Sequence, residues 1–284
     1  MQICASRFME KTRILFVTQE ITPYLPDSEL ARIGRFLPQG IQERGKEIRT
    51  FLPRFGCINE RRNLLHEVIR LSGMNMIIND TDHPLIIKVA SIQSARMQVY
   101  FIDNEDYFCR KTTFCDASGV PFEDNDERAV FYARGVLETI RKLRWTPHII
   151  HCHGWFSSLV PLYVKKAFRE DPIFSKSKVI LSLYKESCTP VFTPMFKQKA
   201  MTEGVTKKDL TLLDDAPNYV TLSQLAINFS DGIIAGSETI DPAVEKYARR
   251  SGKPFLAYHQ PKEGEEYNYI DDYAAFYDRM LDMP

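Results

Sequence analysis

At 284 residues, with 44% hydrophobic side chains, the chain carries ample material for a packed globular core. Its 37 basic and 37 acidic residues cancel, which removes the net field that would draw nucleic acid or an anionic membrane. No apolar run approaches the roughly 18 residues of a membrane span, and the six cysteines (Cys4, Cys57, Cys109, Cys115, Cys152, Cys188) show no CxxC pair or framework spacing, so free thiols, no disulfide and a cytoplasmic location are expected.

Residues 1–12 show no periodicity and are expected to form a leader. The run 13–18 (Arg-Ile-Leu-Phe-Val-Thr) reads as a first buried strand, and 19–29, with Pro23 and Pro26, as the loop at its carboxyl end. Leu30, Ile33, Leu37 and Ile41 mark one face of a helix stopped by Gly45. A second strand at 48–52 completes a βαβ unit, which is expected to be right-handed and parallel. Residues 54–84 are less regular. Runs at 85–90 and 97–102 read as a hairpin beside the parallel sheet, and 103–124 as loop.

Asn125 is the expected cap of the next helix, with Asp126 and Glu127 in its first turn and Val130, Ala133, Leu137 and Ile140 on its apolar face. After the break at Pro147, the run 148–152 (His-Ile-Ile-His-Cys) is short and apolar, which suits a central parallel strand. The polar groups that follow it should therefore stand at the carboxyl edge of the sheet, where open α/β folds bind ligands. Helices are expected at 159–168, 221–229 and from Asp241-Pro242 to Gly252, and strands at 178–183, 232–236 and 254–258. Residues 186–217 form a long connection of the kind often used as a lid or binding loop. The stretch 260–284 reads as an acidic tail ending in an amphipathic helix (Tyr273, Phe276, Tyr277, Met280), expected to dock on its own domain in preference to serving as a partner surface. One α/β domain over 13–259 is the simplest organisation.

Several motifs resemble the glycogen and starch synthases, glucosyltransferases that extend an α-1,4-glucan from ADP-glucose. Val99-Tyr100-Phe101-Ile102-Asp103-Asn104-Glu105-Asp106-Tyr107-Phe108 resembles their "VYFIDN..YF", Asn125-Asp126-Glu127-Arg128 their "NDERF", and 147–155 their "PDIIHCHDW". Gln19-Glu20-Ile21-Thr22-Pro23-Tyr24 is similar to "SEVAPF", and 48–54 to "VRVVLPRY". The resemblance covers 13–245 and implies a Rossmann-like, mainly parallel sheet with helices on both faces, one half of a GT-B fold. The roughly forty residues after Glu245 are too few for the second GT-B domain.

The departures fall where that family does its chemistry. Its donor loop "KTGG" cradles the nucleotide-sugar phosphates with one cation and small backbone. Here the aligned residues are Pro26, Asp27, Ser28 and Glu29, a degenerate loop whose two carboxylates oppose phosphate. The family's "HDWH" becomes His153-Gly154-Trp155-Phe156, and its "TIHN" becomes Ser182-Leu183-Tyr184-Lys185. The resemblance thus leaves His153, Trp155, Asn104, Tyr184 and Lys185 as candidate substrate-binding residues. His153 is the one candidate for a catalytic role.

Blander readings stand beside these. His151 and His153 share a strand face, as metal ligands would, but no further ligand is spaced to join them, and no metal is expected. Both could equally be core or rim histidines. Cys152 reads as a buried inert thiol. Asn104, Glu105 and Asp106 read as a turn before core aromatics or as a glucan contact, and the run 124–126 as a helix cap. The function expected is a glucan-synthase-type glucosyltransferase domain that is inactive alone, a pseudoenzyme, with no cofactor and with ADP-glucose as donor only if active. The alternative is a non-catalytic module that binds α-glucan or another enzyme of glucan metabolism. Nucleic acid and membrane are not expected partners.

Overall fold

A computed structural model describes residues 11–186, 188–190, 192–260 and 267–283. All but the last two residues of the expected leader, and part of the acidic tail, lie outside these. In chain order the elements are β1 (Arg13–Thr18), α1 (Glu29–Glu43), β2 (Glu47–Pro53), β3 (His66–Glu67), β4 (Met74–Ile78), β5 (Thr81–Ile92) and β6 (Met97–Asp103). There follow α2 (Glu105–Phe108), α3 (Asn125–Leu143), β7 (Ile149–His153), α4 (Val160–Lys165), β8 (Lys178–Leu183) and α5 (Phe196–Lys199). The last elements are α6 (Tyr219–Phe229), β9 (Gly232–Ala235), α7 (Pro242–Arg250), β10 (Phe255–Leu256) and α8 (Tyr269–Asp282).

The strands lie in the order β10-β9-β8-β7-β1-β2-β6-β5-β3, with β4 paired to β5. From β10 to β6 all neighbours are parallel, and β5 is antiparallel to β6. Strand β1 lies directly beside β7, with Phe16 opposite His151 and Thr18 opposite His153. The central strands are buried on both faces, as their unbroken apolar sequences require. On one face Ile14, Phe16, Ile149, Ile180 and Ile234 pack against α1 and α8, through Leu37, Ile41, Phe276, Tyr277 and Met280. On the other, Leu15, Val17, Ile150, Cys152 and Leu181 pack against α3, α4, α6 and α7. The terminal helix is therefore seated on the sheet.

Four expectations require correction. Residues 54–84 contain β3 and β4, and β5 begins at Thr81, because Asn79 and Asp80 take positive φ (50° and 60°) and turn β4 back on β5 as a tight hairpin. The helix expected at 159–168 is confined to Val160–Lys165, preceded by a single 3-10 turn, Trp155–Ser157. Asn125 is not the cap of α3. The cap position is Asp124, which makes no capping bond, while the buried Asn125 amide donates to the Phe114 carbonyl (2.9 Å) and accepts from Arg128 Nη1 (2.6 Å). Asp124 is instead occupied by both guanidinium arms of Arg110, at 2.6 Å each.

Finally, Cys115 and Cys188 form a disulfide across a sequence separation of 73 residues. Each sits on a loop that the fold brings over the carboxyl edge of the sheet, a proximity that cysteine spacing in sequence does not encode. Of the other described cysteines, Cys57 and Cys109 are exposed thiols and Cys152 is a buried one. Among the described residues no helix is long and apolar enough to cross a membrane.

Candidate functional site

The chain leaves β1 for β2 and β6 on one side, then returns to place β7, β8 and β9 on the other. The strand order therefore reverses between β1 and β7, and the crevice beyond their carboxyl ends is where such sheets take ligands. Gln19 and Glu20 follow β1, Gly154 and Trp155 follow β7, and Glu186 stands just beyond β8.

The crevice is filled by the protein's own side chains. The buried Gln19 amide accepts from the Phe156 N–H (3.0 Å) and donates to the Glu186 carboxylate (2.9 Å), which also accepts from the Trp155 N–H (3.1 Å). Gly154 has φ +79°, and a Cβ there would stand 2.4 Å from the Gln19 side-chain carbon. No side chain fits at 154 while Gln19 occupies this place. Loss of solvent pushes the Glu186 carboxyl up to about 8, against the pull of its two N–H donors, and also raises Glu20. None of these side chains carries a positive charge.

His153 is only 1% exposed, and its Nδ1 shares a 2.7 Å hydrogen bond with the Tyr184 hydroxyl. Its Nε2 is buried without a partner. Burial drives the imidazole down to about 3, so it is neutral at physiological pH. His151 is also wholly buried, bonded through Nδ1 to Tyr277 (2.6 Å) and through Nε2 to Ser182 (2.7 Å), and is held well below its ordinary range by burial and by His153. The two rings lie 3.8 Å apart beneath α8. Among the described residues no cluster of three or more His, Cys, Asp or Glu is arranged for a metal.

The remaining candidates disperse. Trp155 is buried against Phe114, Phe156 and Phe192. Tyr184 is buried under Gly236, where a Cβ would stand 2.5 Å from its ring. Lys185 is exposed. Asn104 caps α2, accepting from the Asp106 and Tyr107 N–H groups (3.0 and 3.2 Å) and donating to the Pro84 carbonyl (3.0 Å). Tyr107 and Phe108 are buried, which matches the turn-and-core reading of that motif.

In the loop before α1, Pro26 and Asp27 are exposed and Asp27 pairs with Arg32 at 2.9 Å. Ser28 caps the helix by accepting from the Ala31 N–H at 2.9 Å, and also bonds Glu20. Glu29 is tied by the Ser237 hydroxyl (2.5 Å) and the Tyr258 hydroxyl (2.8 Å). No spacing or motif in the sequence marks Gln19, Glu20 and Glu186 as a cluster. Their one legible signal was position, since each lies within three residues of the end of a strand expected in the parallel sheet.

A family model described as the starch synthase catalytic domain matches residues 13–250. The glycogen synthase of Chlorobium limicola is 38% identical over 173 residues, 61% of this chain and 35% of that protein. The glycogen synthase of Chlorobaculum tepidum is 34% identical over 239 residues, 84% of this chain and 47% of that protein. Among solved structures, the catalytic domain of starch synthase IV from Arabidopsis thaliana, bound to ADP and acarbose, superposes with a TM-score of 0.70 at 16% identity. That match covers 89% of this chain and 52% of the other, and it shows the fold. The chain thus spans less than half the length of these curated relatives. With the family model matching from β1 to α7, and with the parallel sheet and motif order in agreement, the chain belongs to the starch synthase catalytic domain family.

Proposed function

We propose that this domain serves glucan metabolism by holding α-glucan and does not itself transfer glucose from a nucleotide sugar. The observation that carries this reading is Glu29. It stands where the resembling enzymes have a glycine of the phosphate loop, and its carboxylate is fixed in place by Ser237 and Tyr258. A carboxylate about 6 Å from a diphosphate opposes it by about 1 kcal/mol or more per charge pair. The dipole at the start of α1 returns only about 0.3–1 kcal/mol. Retaining or releasing a diphosphate leaving group requires preorganised positive charge or donors, and the aligned lysine position is Pro26.

Two further replacements support the same conclusion. Gln19 for the family serine and Gly154 for its aspartate act as a coupled pair, the larger side chain filling the space the smaller residue vacates. Tyr184, in place of a histidine, holds His153 at Nδ1 beneath the surface. A neutral, buried imidazole cannot donate a proton to substrate.

Incubation of the isolated chain with radiolabelled ADP-glucose or UDP-glucose and a glycogen primer tests this. No label above the enzyme-free blank is expected in the precipitated glucan. Steady primer extension would overturn the proposal.

A further inference from the structure

A cavity of about 380 Å³ opens at the carboxyl edge between the start of α1, the end of β9 and the start of α8. This is the size of many small-ligand sites. Its walls include Phe36, Tyr258, Tyr267 and Tyr273, with Glu29 and Arg32 as charged groups. The Phe36 and Tyr267 rings lie 4.8 Å apart, inclined at 51°, and Tyr267 remains 50% exposed at the mouth. Tyr258, Tyr267 and Tyr273 all lie beyond residue 250, where the family match ends. The cavity is therefore completed by residues beyond the family match, and its lining is distinct from the Gln19, Gly154 and Glu186 cluster.

The lining selects the ligand. Glu29 opposes an anion and Arg32 opposes a cation, while together they offer acceptors and donors. Each Glu29 oxygen accepts one hydroxyl from the protein, Ser237 or Tyr258, and retains a lone pair. Arg32 spends one arm on Asp27 and keeps further N–H donors. Flat aromatic walls with one acceptor and one donor group suit a neutral ring that has apolar C–H faces and a hydroxylated rim.

We propose that this cavity is a subsite for one hexose unit of an α-glucan, stacked on Phe36 and Tyr267 and hydrogen-bonded by Glu29 and Arg32. The inference rests on the glucan reading above and gives that reading a location. Calorimetric titration of the full chain with maltoheptaose, paired with mobility in glycogen-containing native gels, tests it. Tyr267→Ala and Arg32→Ala, both at exposed positions, should weaken binding by about tenfold, the weight of one ring or hydrogen-bond contact. Lys142→Ala, at an exposed position on the far end of α3, should leave binding unchanged, and all three variants should keep the parent's thermal midpoint.

Maltoheptaose binding that is unaffected by Tyr267→Ala and Arg32→Ala would overturn this subsite and leave the glucan reading standing. Absence of maltoheptaose binding by the parent chain would overturn both. Binding of tetramethylammonium in competition with the sugar would identify an aromatic cation cage and overturn the assignment to a neutral ring.

Discussion

Lowering the pH from about 6 to 5 is expected to remove stability at a net of about one proton per molecule, about 1.4 kcal/mol per pH unit, because two histidines held neutral in the folded chain outweigh the single carboxyl of Glu186, which is held up to about 8 and works in the opposite direction. The origin is the adjacent pair His151 and His153, both buried and both held below the ordinary histidine range, His153 to about 3. The sign follows from linkage. In the unfolded chain each imidazole takes up a proton near its ordinary value of about 6.5, whereas in the folded chain it stays neutral. The unfolded state therefore binds more protons, and stability is full above that value and falls as the pH drops toward the folded value. Tyr184, Tyr273 and Tyr277, which face the pair from β8 and α8, are pushed further up by burial and stay neutral throughout this window. Urea denaturation at half-unit pH steps reads the slope. His153→Phe should reduce it by about one proton, 1.4 kcal/mol per unit, whatever it does to absolute stability. A slope left unchanged by His153→Phe would show that this imidazole is not held neutral.

Replacing Lys199 by Met is expected to cost about 3–5 kcal/mol, the penalty for stranding a buried charge. The Lys199 ammonium lies 3.0 and 3.1 Å from the two oxygens of Asp126 and 2.9 Å from Glu127, and Asp126 is wholly buried. Thr193 donates to the same carboxylate at 2.5 Å. Burial alone would lower the lysine, but hydrogen bonds to Glu127 and Asp126 outweigh it and hold the ammonium charged. Removing the cation leaves a carboxylate that the interior cannot solvate. Adding Asp126→Asn to Lys199→Met should recover part of the loss, since the stranded charge goes with it. Denaturant midpoints of the single and double variants check this, and a cost below about 1 kcal/mol for Lys199→Met would contradict it. The pair also anchors α5, within the long connection after β8, onto α3, and the Cys115–Cys188 disulfide ties that connection a second time.

Much of the fold was legible because its signals are local. The apolar runs of β1, β7 and β8 are too continuous for one-sided strands, and the 3.6-residue spacing of Leu30, Ile33, Leu37 and Ile41 specifies the buried face of α1. The capping of α7 by Asp241, through the Ala243 and Val244 N–H groups, was likewise readable from Asp241-Pro242. The hairpin at Asn79-Asp80 was readable in principle, but Pro84 weakened the strand signal beside it. Long-range partnerships were not legible. Asp126 reads as a first-turn acid until Lys199, 73 positions away, is placed against it. Asn125 reads as a cap until Arg128 and Phe114 turn it inward.

The site was legible as a set of departures and illegible as a mechanism. The replacement of small or basic residues by Pro26, Asp27 and Glu29 is the ground that sequence alone offers for proposing a loop that does not hold phosphate. What sequence could not show is that Glu29 is engaged by Tyr258, 229 positions later, or that Gln19 enters the space beside Gly154. Such contacts depend on loops that follow different strands converging at one edge, and strand order is a property of the whole chain.

The most direct test of a closed donor side is calorimetric titration of the isolated chain with ADP and ADP-glucose. Without a cation at Pro26, and with Glu29 facing the site, the dissociation constants should be weaker than about 1 mM, a binding free energy of only about 4 kcal/mol. Micromolar binding of ADP that is lost on altering the loop at Ser28 and Glu29 would contradict it.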